Sequence, residues 1–144
     1  TAFIGELEYP ADTGEVLHAA KRNKHSNVDT VRDQKIAAGV PYQFPDGPGT
    51  IQTRDLIDHR NIQANGSAAQ MHLLAGHPGA EMHFRDTEDV VHVLSAQQMA
   101  EMCAHVMGYG QAIYSASWAH KAAIDALETV EAVGAYDVTI GWPV

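Results

Sequence analysis

The strongest constraint on this chain is an apolar or small seam near its C-terminus. Met99, Met102, Val106, Tyr109, Ile113, Ala116, His120, Ala123, Leu127 and Val130 follow at alternating spacings of three and four. That heptad keeps one stripe of a helix facing a partner. Ser95 followed by Gln98 is a capping box that starts the helix, and Gly134 is placed to end it. No proline interrupts Ala96 to Ala132, so the spacing predicts a rod over about 95–132, roughly 55 Å long at about 1.5 Å per residue. A helix about three times the average length is more than a chain of 144 residues is expected to cover alone. The seam therefore predicts assembly.

Upstream, residues 1–25 hold Pro10, Gly5 and Gly14 among charges, with few large apolar side chains, and read as an extended arm or docking segment. Residues 26–144 read as one domain. Asn27 is expected to cap a short helix carrying Val28, Val31 and Ile36, stopped by Gly39. Val40 to Phe44 alternates as a strand, Pro45 to Gly49 is a turn, and Thr50 to Thr53 is the returning strand. A helical stretch follows from Arg54 to about Ala75, weakened at Asn65-Gly66, so one helix or two remain open. It is long enough to cover roughly 30 Å of the rod. A second hairpin places Met82, Phe84, Val91 and Val93 on one face around a loop of Asp86 to Asp89. The order helix, β-hairpin, helix, β-hairpin, long helix gives an α+β fold.

The net charge of −9 includes only nine Lys and Arg, and their one cluster is Lys21-Arg22-Asn23-Lys24. Nucleic-acid binding needs a broad cationic patch, so it is not expected. The single cysteine, Cys103, leaves no intramolecular disulfide or multi-thiolate zinc site, and it reads as buried packing. No apolar run reaches the ~18 residues of a membrane helix. Thr1-Ala2-Phe3-Ile4 has no basic, hydrophobic leader, so synthesis in the cytoplasm is expected.

Nine histidines are the one compositional hint of a metal site. If the second hairpin closes over residues 86–89, His83 lies opposite His92 with Cβ atoms about 5 Å apart, and Glu81 is nearby. The plainer reading is an exposed polar pair, and no metal ligand is assigned. His-Glu-x-x-His, Gly-x-Ser-x-Gly, Ser-x-x-Lys and the Gly-x-x-x-x-Gly-Lys phosphate loop do not occur. No catalytic or cofactor-binding residue is therefore assigned, and the chain is not expected to be an enzyme. His120 occupies a core position of the seam. It is read either as an edge residue or as a buried neutral ring that fixes register and loosens the assembly near pH 5 to 6.

Phe84-Arg85-Asp86 with Val90 and Val91, Leu94-Ser95-Ala96, Ile113-Tyr114, Trp118-x-x-Lys121-x-x-Ile124 and Gly141-Trp142-Pro143 resemble a domain-of-unknown-function family of tailed bacteriophages and prophages. Arg32-Asp33, Gly39-Val40, Ile51 to Arg54, Asp58 and Asn61-Ile62 are similar to its N-terminal half. The likeness covers roughly residues 28–143. Asp89 departs from the asparagine expected there, although both suit a turn. The resemblance implies a virion tail protein of the fibre, baseplate or tail tip, with an assembly chaperone as the alternative; a metal-dependent enzyme is a remote alternative outside it. It implies no catalytic residues. The expected partners are further copies, most simply as a trimer, and neighbouring tail proteins, with the N-terminal arm as the attachment. Trp118 and Trp142 stand out: Trp118 is expected either to anchor the returning Trp142 segment or to plug into a partner.

Overall fold

The computed structural model describes residues 13–144. The chain runs α1 (Thr13–Ala37), β1 (Val40–Phe44), β2 (Gly47–Ile51), α2 (Leu56–Leu74), β3 (Glu81–Arg85), β4 (Val91–Ser95), α3 (Ala96–Asp125) and α4 (Val130–Ala135). This is the α+β order read from the sequence. Each hairpin is its own two-stranded antiparallel sheet.

α3 is the spine. Its capping box forms as expected, with Ser95 Oγ accepting from the Gln98 N–H and Gln98 Oε1 accepting from the Ser95 N–H. The rod does not run to Ala132, however. α3 ends at Asp125, and the Thr129 hydroxyl accepts from the Ala132 N–H to start α4. Turning there lets Val133, Val138 and Trp142 fold back onto Ile113 and Ile124. A continuous rod would leave all three in water.

The seam also drifts. Met99, Met102, Val106, Ile113 and His120 are buried as the heptad requires, but Ser117 and Ile124 take the later inward positions while Ala123 is exposed. A straight helix has 3.6 residues per turn and slips about 20° per heptad, so the stripe follows 3.6 and not 3.5. This seam is closed within the chain. α2 and the hairpins cover its first half, where Met99, Met102, Val106, Phe44, Ile51, Ile62 and Leu94 share one core. α1, α4 and the C-terminal segment cover the second half.

α1 corrects the reading of residues 1–25. It begins at Thr13, so residues 13–25 are helical, and the remainder of the expected arm lies outside the described residues. Val28 is its one fully buried large side chain. Leu17, Ala20, Val31 and Ile36 pack half-buried against the same core, and polar contacts add to this: Lys21 Nζ donates to the Asp125 carbonyl (2.7 Å), Lys24 Nζ donates to the Tyr136 carbonyl (2.9 Å), and Lys121 pairs with Asp29 (2.6 Å). The weak apolar pattern made this segment look unstructured.

α2 is one helix straight through Asn65-Gly66. A Cβ on Gly66 would sit 3.3 Å from that of Cys103, so the missing side chain lets α2 and α3 approach closely. In the first hairpin, Pro45-Asp46 alone makes the turn, and the strand returns from Gly47 instead of Thr50. Gly49 sits across from Tyr42, where a Cβ would lie 2.9 Å from both the Phe44 ring and Asp86 Oδ2. Neither neighbour is free to move. Gly49→Ala is expected to cost about 1–3 kcal/mol, read as a lower urea midpoint at unchanged slope.

Candidate functional site

The second hairpin decides the fate of the His83–His92 pair. Asp86 Oδ1 accepts from the N–H groups of Glu88 (2.8 Å) and Val90 (3.0 Å), and Asp89 takes a left-handed conformation with φ 63°. The loop therefore spans residues 86–90, and Arg85 pairs with Val91. That slip of one residue sends the other set of side chains inward. Phe84, His92 and Leu94 are buried, while Val91 and Val93 are exposed. His83 stands opposite Val93 on the outer face, with Nε2 2.8 Å from Glu81 Oε2. The two histidines lie on opposite faces and cannot share a cation. Among the described residues no group of three or more His, Cys, Asp or Glu is placed to hold one.

His92 has a different role. Its ring stacks flat on Phe44, with centroids 3.7 Å apart and planes 6° from parallel. Nδ1 lies 2.6 Å from Asp46 Oδ1 in the turn of the first hairpin, and Nε2 lies 2.8 Å from Asp86 Oδ2 in the loop of the second. A carboxylate can only accept, so both ring nitrogens carry hydrogen and the ring is an imidazolium. Burial opposes that charge, but the hydrogen bonds the ring donates to Asp86 and Asp46 outweigh it and hold the His92 pKa above its ordinary value. The bond from His92 in turn keeps the Asp86 carboxyl below the usual range. The Thr87 N–H donates to the Thr50 carbonyl (2.9 Å) and adds a backbone link between the hairpins. Nothing in the spacing of Asp46, Asp86 and His92 announces this cluster. The only local signal is an aspartate at the head of a loop, which is a common turn residue.

Cys103 is buried as expected. Its Sγ lies 3.4 Å from the Ile62 carbonyl, and desolvation pushes the thiol up to about 11, which suits packing and not reaction. His120 is buried too, and it holds this chain's own tail. Nε2 donates to the Ile140 carbonyl (2.7 Å), and Nδ1 lies 2.7 Å from the Tyr136 hydroxyl. Trp142 stacks against the same ring, with centroids 5.1 Å apart, and its Nε1 donates to the Val138 carbonyl (2.8 Å). His120 therefore closes the fold at the tail instead of fixing a register between copies.

The remaining tryptophan behaves in the opposite way. Trp118 does not meet Trp142; it is 59% exposed, with Tyr114 beside it at 6.3 Å between centroids. Met107 stands exposed on the same side of α3, and Arg32 of α1 lies 5.6 Å over the Tyr114 ring. His59, Gly110 and Gln111 complete an open hollow with these residues. A groove between α2 and α3, lined by Gly66, Cys103 and Ala104, continues from Met107. Between Glu101 and Lys121 the helix carries no Asp, Glu, Lys or Arg. Large exposed aromatic and Met side chains on an uncharged helix face are the composition of an interaction surface. Of these side chains the sequence singles out only Trp118; the heptad spacing gives no role to Met107 or Tyr114.

No curated protein and no solved structure matches this chain. A family described as a domain of unknown function, DUF4376, matches residues 19–139, from α1 to the segment that carries the tail back to α3. The chain, matched over most of its length, belongs to the DUF4376 family.

Proposed function

We propose that the protein is a structural component of a phage tail, in the fibre, baseplate or tail-tip region, which docks on a neighbouring tail protein through the Met107–Tyr114–Trp118 face. The tail assignment rests on the likeness of residues 28–143 to a phage and prophage family. The docking assignment rests on one observation: Trp118, Tyr114 and Met107 are exposed together on an uncharged stretch of α3. Trp and Tyr are the side chains that most often carry binding energy, and a hollow beside them receives the partner's own anchor. With the seam closed inside the chain, the symmetry of several copies comes from the tail they bind and not from a coiled coil of α3.

A mass-spectrometric inventory of purified virions encoding the chain is expected to detect it. Co-expression with the neighbouring fibre protein is expected to yield a complex that Trp118→Ala weakens. Absence from virions, with a fibre that is insoluble unless the chain is present, would replace this reading with an assembly chaperone. A complex indifferent to Trp118→Ala would remove the docking face.

A further inference from the structure

We infer that Asp46, His92 and Asp86 form a proton-operated latch between the two hairpins, which opens on the Asp46 side when His92 loses its proton. The groups at ion-pair distance from the ring are Asp46, from the turn between β1 and β2, and Asp86, from the loop after β3. Beneath it lies the face of Phe44, which also favours a cation. α3 packs against β3 and β4 and, among the described residues, adds no ion pair to the ring.

The two carboxylates differ in what they can do once the ring is neutral. Asp86 has a side chain 3% exposed and fixed by the N–H groups of Glu88 and Val90. It has no route to water, so the one remaining ring N–H stays with it. Nδ1 then turns a lone pair toward an Asp46 oxygen 2.6 Å away. The Asp46 side chain is 56% exposed on a turn made by Pro45-Asp46 alone, and it can rotate into water. Deprotonation therefore releases the tip of the first hairpin and leaves the second hairpin intact. The Thr87–Thr50 backbone bond and the Phe44 packing keep the hairpins together afterwards.

The sign follows from the raised His92 pKa. The latch contributes stability that is complete below the ring's ordinary value of 6.5 and is lost as pH rises through the raised one. Two measurements on the intact chain test this: the His92 ring resonances, and the Asp46 and Gly47 amide resonances, followed by NMR from pH 5 to 10. His92 is expected to titrate above 6.5, with the two amides moving at the same midpoint. Asp46→Asn, at an exposed position that leaves the core untouched, is expected to lower that midpoint by about one pH unit. A His92 midpoint at or below 6.5, amides that ignore it, or an Asp46→Asn midpoint equal to that of the parent would each overturn the latch.

Discussion

Asp86→Ala is expected to destabilise the protein by about 3–5 kcal/mol, the cost of removing one partner from a buried charged pair. Two losses coincide at this residue. The His92 imidazolium would keep only the half-exposed Asp46, and the N–H groups of Glu88 and Val90 would lose their acceptor. In a chain of this size the melting temperature should fall by roughly 10 °C or more. Asp86→Asn separates the two effects. An amide oxygen still accepts from both backbone N–H groups but no longer supports the charge on the ring, so the loss should be smaller and the His92 midpoint should drop. Asp46→Ala should cost no more than about 1 kcal/mol, as for an exposed ion pair. If Asp86→Ala and Asp46→Ala unfold at the same urea concentration, the buried pair is not what joins the hairpins. Acid has the reverse effect through Asp86. Its lowered pKa contributes stability above the ordinary carboxylate value, and this is lost as pH falls through the lowered one.

Local physics in the sequence was enough for the order of elements, the capping box at Ser95 and the break at Gly39. These signals act over a few residues. What the sequence hid depends on small offsets or on distant partners. One extra loop residue, held by Asp86, reverses which face of β4 is buried, and Val91 exchanges roles with His92. A drift of 20° per heptad moves the inward position from Ala123 to Ile124. The first half of α1, residues 13–25, reads as an arm because Lys21 and Lys24 help fasten it to groups about a hundred positions away. No periodicity reports such contacts. Of the candidate docking face, only Trp118 was visible. Met107 and Tyr114 acquire meaning once α1 and α2 are seen to leave that side of α3 open.

Trp142→Ala and Trp118→Ala place the same substitution on the two tryptophans, and opposite outcomes are expected. Trp142 is 7% exposed, stacks on His120 and donates to the Val138 carbonyl. Its removal leaves a cavity beside Ile113 and Ile124 and takes away the ring against which His120 packs. The expected cost is about 3 kcal/mol, the lower end for a buried Trp because a chain end can relax into the gap. Faster amide exchange over residues 136–144 should accompany it, since those residues are held mainly through His120, Tyr136 and Trp142. Trp118 is mostly in water and makes one aromatic contact, with Tyr114. Its removal should change stability by no more than about 0.5 kcal/mol. In a binding assay with the tail protein proposed as its partner, however, it should cost about 2 kcal/mol or more, roughly a thirtyfold weaker complex. Urea melts and pull-downs on the same two variants decide the matter. If Trp118→Ala destabilises the fold while binding survives, α3's exposed face is part of the structure and not a docking surface. If Trp142→Ala leaves stability and exchange untouched, the tail is not held by the His120 cluster.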